Sequence, residues 1–218
     1  QGLPAGHIPA LTFTNKAARE MRNRINQLVG EELARYLWMG TFHSIFARIL
    51  RQEATLLGYR RDYTIYDTAD SNSFIYHIIK DFKLDDKVYK ASVVHARISV
   101  AKNNLQSPNQ YASDREYLMR DRFDKMPDIA RIYAEYNRRL KAANAMDFDD
   151  ILVNSYTLLQ KFPEAAEKYQ EQFQYILVDE YQDTNRAQYM IIRKLAEQHQ
   201  HICVVGDDAQ SIYSFRGA

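Results

Sequence analysis

Two stretches decide the fold: Ile176-Leu-Val-Asp179-Glu180-Tyr-Gln182-Asp183-Thr-Asn185, and farther along Val204-Val-Gly206-Asp207-Asp-Ala-Gln210-Ser-Ile-Tyr213-Ser-Phe215-Arg216-Gly217-Ala218. Each opens with a short apolar run, the pattern of a strand buried in a parallel sheet, and then breaks off in carboxylates and amides. A doubly wound sheet places its ligands at the carboxyl ends of such strands. Two segments that end this way suggest the geometry of a nucleotide-driven motor.

Asp179 is the first carboxylate after its strand, the place from which Mg²⁺ is held; that ion keeps several waters and takes one or two protein oxygens beside the phosphates. Glu180, one residue on, points differently and suits orienting or deprotonating the attacking water in phosphoryl transfer, where catalysis is mostly positioning and electrostatics. Gln210, on the loop after the next strand, is placed to sense the γ-phosphate with its amide. A plainer reading makes Asp179 and Glu180 a solvated strand end and Asp183 an N-cap for a helix over 184–197. That reading suits an isolated pair, but the two strings together fix too many positions for it.

These strings resemble motifs II and III of the UvrD/Rep/PcrA type of superfamily 1 ATP-dependent DNA helicases. Leu11-Thr12-Phe13-Thr14-Asn15-Lys16-Ala17-Ala18-Arg19-Glu20-Met21 is similar to the family's motif Ia. Gly40-Thr41-Phe42-His43-Ser44 resembles the next DNA-contacting motif, and Asn144-Ala145-Met146-Asp147-Phe148-Asp149-Asp150-Ile151-Leu152 the segment that re-enters the motor domain before motif II. The likeness covers nearly the whole chain, in the family's order.

The resemblance implies an α/β fold: a RecA-like parallel sheet of the P-loop NTPase type, flanked by helices and carrying an inserted helical subdomain. It implies Mg²⁺ and ATP as cofactors, with Asp179 on the metal, Glu180 and Gln210 catalytic, and Gln182, Asp183 and Gln210 at the nucleotide. It implies single-stranded DNA and single-strand/duplex junctions as partners, 3′→5′ polarity, and a bacterial-type cytoplasmic, nucleoid-associated setting in repair or replication. Phe13 is expected to pack on a base while Thr14 and Asn15 reach the backbone with hydroxyl, amide and helix-terminal N–H groups. Tyr213, Phe215 and Arg216 are expected to flank bases. His43 is expected either to touch a phosphate or to cap the helix that follows it; with no second ligand at suitable spacing, it is not read as a metal ligand.

Two departures from the family shape the expectation for the chain itself. None of its seven glycines precedes a lysine, so there is no G-x-x-x-x-G-K-[ST] phosphate loop. The sequence also stops directly after motif III, before the second motor domain that would bring an arginine finger. The expectation is a piece of a helicase, inactive alone. The alternatives are the helicase portion of a helicase–nuclease subunit and a nonenzymatic DNA-binding module; the Asp179–Glu180 pair and Gln210 argue against the module, which needs no water-activating carboxylate.

Composition fits a chain that buries a core, with 46% hydrophobic residues over 218 positions. Cys203 is alone in an apolar run and is expected to be an inert core thiol. No apolar run has the length of a membrane span, and no partner membrane is expected. Charge is uneven: +5 over residues 1–61, +2 over 62–142 and −6 over 143–218. The positive part carries the DNA-type motifs and the negative part the metal-type carboxylates, a polarity suited to DNA on one side and Mg·ATP on another.

Periodicity places a strand over 8–12, a helix from Thr14 or Asn15 to about Val29 with Ala18, Met21, Ile25 and Leu28 on one face, a strand over 36–39 and a helix over 44–57. Strands alternating with helices argue for a parallel sheet. From Asp67 to Leu140 the pattern is helical, with stripes Phe74, Ile75, Ile78, Ile79, Phe82 and Ile129, Ile132, Tyr133, Tyr136, Leu140. Ser107-Pro108 marks a helix start and Pro127-Asp128 a break. Helices to about Gln160 and after Pro163 lead to a strand over 175–178. The expected division is 1–61 motor domain 1A, 62–142 helical domain 1B and 143–218 the return of domain 1A. Of the 16 Tyr and 10 Phe, most are expected in cores, but Phe13, where a strand meets a helix start, is expected outside the core as a stacking face.

Overall fold

The computed structural model describes residues 4–207, so Gln210, Tyr213, Phe215 and Arg216 lie outside the described residues. Strand β1 (Pro9–Thr12) runs into helix α1 (Asn15–Val29), the one-turn α2 (Glu31–Ala34), β2 (Trp38–Thr41) and α3 (Phe42–Glu53). After β3 (Thr64–Tyr66) come α4 (Thr68–Asp81), α5 (Ala91–Asn103), α6 (Pro108–Ser113), α7 (Arg115–Phe123) and α8 (Ile129–Ala142). The chain returns through β4 (Ala145–Asp147), α9 (Phe148–Lys161), α10 (Pro163–Gln172), β5 (Ile176–Val178), α11 (Arg186–Leu195) and β6 (Ile202–Val204).

Four strands form one parallel sheet in the order β2-β1-β5-β6, with Leu11 beside Val178 and Val178 beside Val204. Parallel neighbours need crossovers; α1 and α3 pack on β1 and β2, while α9 and α11 pack on one another and share the core that holds Val178. Because β1 and β5 are adjacent, the ends that carry Phe13 and Asp179 lie at the same edge of the sheet. The helix starts follow capping chemistry: Thr14 Oγ1 accepts from Ala17 N–H at 3.1 Å, and Thr41 Oγ1 from Ser44 N–H at 3.2 Å. Asp67, Ser107, Asp147 and Asn185 each close a reciprocal capping box with the third residue of the helix they begin.

Among the described residues two large apolar cores result, beside a small cluster of Ala10, Ala34 and Met39. One joins Leu11, Trp38, Phe42, Phe46 and Tyr63 to Leu152, Tyr169, Phe173, Val178 and Ile191. The other gathers Ile75, Ile78, Ile79, Val94, Ile98, Ile129, Ile132, Tyr133, Tyr136 and Leu140, with Phe74 and Phe82 packed against it. Both helical stripes of the sequence are therefore this second core. The parallel pair β3–β4, with Thr64 beside Ala145 and Tyr66 beside Asp147, ties the entry and exit of the helical layer together.

Several expectations shift. Strand β2 begins at Trp38 rather than Tyr36, which is 58% exposed, because Tyr36 and Leu37 close a turn onto Leu33 and Ala34. Strands β3 and β4, three residues each, are too short to show a period of two. Leu28 is 83% exposed, since only the Met21 and Ile25 part of the α1 stripe meets a small cluster around Ala34 and Met39. Cys203 is a free thiol, half-buried rather than core, because the β6 residues on either side of it are exposed. Phe13 is half-buried and packs against the first core through Phe42, so its ring serves folding as well as the surface.

Candidate nucleotide and DNA sites

Strand β5 ends by donating Asp179 N–H to Leu11 O at 3.0 Å, which carries the sheet ladder up to the first carboxylate. Asp179 is exposed, and its Oδ1 accepts Glu180 N–H at 2.9 Å. The backbone then turns left-handed at Glu180, with φ 57° and ψ 39°, a region that non-glycine residues seldom occupy and that recurs at functional sites. That turn divides the two carboxylates: Asp179 continues the strand, while Glu180 is half-buried and 3.3 Å from Gln182 Nε2. The tight turn Tyr181–Asp183 is closed by Asp183 N–H to Glu180 O at 2.9 Å and Thr184 Oγ1 to Tyr181 O at 2.7 Å.

The end of β6 locks onto this turn. Tyr181 N–H donates to Val205 O at 2.9 Å, and Gln182 Oε1 accepts Asp207 N–H at 3.1 Å. Asp179 thus offers exposed, hard carboxylate oxygens at a strand end, the donor type that Mg²⁺ takes while keeping most of its waters.

A second site opens between the two layers. A cavity of about 460 Å³ is lined by Phe13, Thr14, His43, His95, Phe148 and Asp183, among others. Phe13, His43 and Phe148 also border a neighbouring hollow of about 340 Å³ that reaches Asn15. The four described residues expected at DNA, Phe13, Thr14, Asn15 and His43, therefore gather in one region. The Phe13 ring lies 5.3 Å from that of Phe42, and the His43 ring meets Phe148 edge-on at 5.8 Å. Thr41 supplies the α3 cap, so His43 is not the capping group.

Phe148, not singled out by sequence reasoning, borders both hollows. It is 49% exposed although it follows the fully buried Met146 and the buried Asp147. Its signal was a large aromatic at the first position of a helix whose core face begins only at Asp150 and Ile151. Asp183, expected at the nucleotide, is buried and lines the cavity; it is not the α11 cap either, which is Asn185. The basic character of residues 1–61 is partly engaged by the protein. Arg22 donates to Met39 O, Arg48 lies over the Trp38 ring at 3.9 Å, and Arg51 donates to Arg61 O and Tyr63 O.

Below the cavity lies a charge network. Lys102, fully buried on α5, stands 2.7 Å from both Asp147 and Asp150, and Tyr136 donates to Asp147 Oδ2 at 2.9 Å. Burial opposes the Asp147 charge, but the Lys102 ammonium outweighs it and holds the carboxyl below its ordinary value. Burial and the Asp147 charge push Asp149 up to about 6 and Asp150 up to about 7. Burial also lowers His95 and so favours its neutral form. Ligand atoms of His95, Asp147 and Asp149 fall within 4.8 Å of one another. Since Asp147 already serves Lys102, Tyr136 and the Asp150 N–H, the group is read as an internal charge network.

No described helix is long and apolar enough to cross a membrane. The family model described as UvrD/REP helicase N-terminal domain matches residues 1–218. ATP-dependent DNA helicase UvrD1 of Mycobacterium tuberculosis is 46% identical across 100% of this chain, which covers 29% of that relative. ATP-dependent DNA helicase PcrA of Staphylococcus aureus is 43% identical across 97% of the chain, covering 28% of that relative. The chain thus spans less than a third of the length of these relatives.

Proposed function

The chain belongs to the UvrD/REP helicase N-terminal domain family, and from that premise we propose that the whole protein is an ATP-dependent DNA helicase that moves along single-stranded DNA and separates duplex strands. The observation that carries the reading is the divided pair at the end of β5, with Asp179 exposed on the strand line and Glu180 turned aside by a left-handed backbone. Asp179 would hold Mg²⁺, which when bound offsets phosphate charge. Glu180, steadied by Gln182, orients or deprotonates the attacking water. Gln182 joins this centre to the end of β6, and Gln210, outside the described residues, would sense the γ-phosphate with its amide.

In this reading the region around Phe13, His43 and Phe148 takes single-stranded DNA, with bases against the two phenyl rings and phosphates near Thr14, Asn15 and the N-terminus of α1. Tyr213, Phe215 and Arg216 would extend the track. The two apolar cores support reading residues 1–61 and 143–218 as one motor domain and 62–142 as a helical insertion. Asp183, bonded into the turn that carries Glu180 and lining the cavity, lies between the nucleotide and DNA regions.

The finer reading is translocation with 3′→5′ polarity, action at single-strand/duplex junctions, a role in repair or replication and a nucleoid-associated cytoplasmic setting. The 218 residues alone contain no G-x-x-x-x-G-K-[ST] sequence, and we expect them to bind single-stranded DNA weakly without hydrolysing ATP. The test is strand separation by the full-length protein on duplexes with a 3′ or a 5′ single-stranded tail. ATP-dependent unwinding of the 3′-tailed substrate is expected; equal unwinding of both removes the polarity, and none with either removes the helicase reading.

A further inference from the structure

The helical layer touches the motif that carries Glu180 through a side chain that the roles above do not use. Asn103, at the end of α5, accepts Asn185 Nδ2–H with its Oδ1 at 2.7 Å. Its own amide donates to Asp149 Oδ1 at 3.0 Å and to Ser99 O at 2.9 Å. It therefore bridges the first turn of α9 to the residue that begins α11.

Asn185 is a buried hinge post. It caps α11 reciprocally with Gln188, each accepting the other's backbone N–H at 2.9 Å. Directly before it runs the turn from Glu180 to Thr184, closed by its own backbone bonds, so the position of Asn185 fixes where that turn ends. At the other end, Asp179 is fixed by the β1 ladder. Glu180 and Gln182 lie between these two anchors. The α5 backbone is itself held by the second core through Val94, Ile98 and Ala101, and by the Lys102 ion pairs. A rigid element outside the motor sheet thus supplies one of the two posts of the reactive turn.

We propose that Asn103 is a positioning residue for ATP hydrolysis, holding the Glu180–Gln182 turn in its working place through Asn185. The inference rests on the reading of Glu180 as the hydrolytic carboxylate. Misplacing a reacting group by about 1 Å can cost on the order of 100-fold in rate without weakening substrate binding, so the effect belongs in kcat and not in KM.

The bond polarity gives a specific test in the full-length protein. Asn103→Asp keeps the acceptor for Asn185 but sets a carboxylate against Asp149 and removes the donor to Ser99 O. Adding Asp149→Asn restores a donor–acceptor pair with its direction reversed. With single-stranded DNA present, N103D is expected to lower kcat for ATP hydrolysis at least fivefold with KM for ATP within twofold of wild type. The double variant is expected to return to within threefold of wild type. N103A, which cannot introduce repulsion, should show the same loss of kcat if the carboxylate variant folds poorly.

Wild-type kcat in both N103D and N103A, or a double variant no better than N103D, overturns the role of Asn103. If the wild-type protein itself hydrolysed no ATP, the hydrolytic reading would fall first and this inference with it.

Discussion

Gly206 lies so close to Gln182 that a β-carbon at position 206 would stand 2.8 Å from Gln182 Oε1 and 3.2 Å from the backbone nitrogens of Tyr181 and Gln182. The side-chain oxygen is held there by Asp207 N–H, and the neighbouring amide of Tyr181 is bound to Val205 O. The missing side chain lets the end of β6 lie against the turn that bears Glu180.

Gly206→Ala should therefore shift Gln182 off Asp207 and loosen its contact with Glu180. Overpacking of this kind costs about 1–3 kcal/mol. In the full-length protein we expect a lower kcat for ATP hydrolysis, together with a modest loss of stability in urea unfolding. Unchanged kcat would show that this contact does not set the place of Glu180.

Lys102 is the sole cation paired with Asp147 and Asp150 among the described ion pairs. Removing one partner of a buried ion pair is destabilising by about 3–5 kcal/mol, because the remaining charge is left uncompensated. Lys102→Met should cost on that order in denaturant unfolding. A loss below about 1 kcal/mol would mean that water reaches the network.

The carboxyls of Asp149 and Asp150, raised to about 6 and about 7, set a pH slope. A carboxyl whose folded value lies above its unfolded value holds more protons when folded. Its contribution therefore favours folding below its unfolded value and declines as pH rises through the folded one. This contribution should fall between about pH 4 and pH 7, and Asp149→Asn should remove part of the decline. Asp147 acts oppositely, since its lowered value adds stability that is lost only as pH falls into the acid range below the ordinary carboxylate value. Melting curves across pH for wild type and D149N check both signs.

Much of this architecture is legible from residues alone. The runs at 176–178 and 202–204 are apolar and end in carboxylates or glycine, the pattern of neighbouring parallel strands, although only 176–178 is largely buried and Ile202 and Val204 stay exposed. Thr14 announces its cap, and the stripes at 74–82 and 129–140 announce a second core. Strands β3 and β4 were not legible, because three residues carry no periodicity and their pairing joins Thr64 to Ala145 across the whole helical layer. The Asn103–Asn185 bond was equally hidden, since it depends on how α5 meets α11 and not on any local pattern. Asp183 could not be placed from sequence, because its direction follows from the left-handed turn at Glu180.

Phe148→Ala offers a cleaner test of base stacking than Phe13→Ala. Phe148 is 49% exposed, whereas Phe13 packs on the first core and its loss will also lower stability. Each stacking ring is worth about 1–3 kcal/mol per base. F148A should weaken single-strand binding by about 5- to 150-fold with little change in melting temperature, while F13A should change both. Wild-type affinity in F148A, read by fluorescence anisotropy at fixed salt, would move the DNA path away from this cavity.

The most direct measurement concerns Glu180 in the full-length protein. Glu180→Gln keeps the shape of the side chain and its place beside Gln182 but removes the basic oxygen and the charge. Mg·ATP binding should stay within twofold of wild type while DNA-stimulated turnover falls by about 100-fold or more, the usual scale of a positioned base. Asp179→Asn, measured in parallel, should weaken Mg·ATP binding itself. Normal turnover by the Glu180→Gln variant would contradict the assignment of the β5 end as the hydrolytic centre.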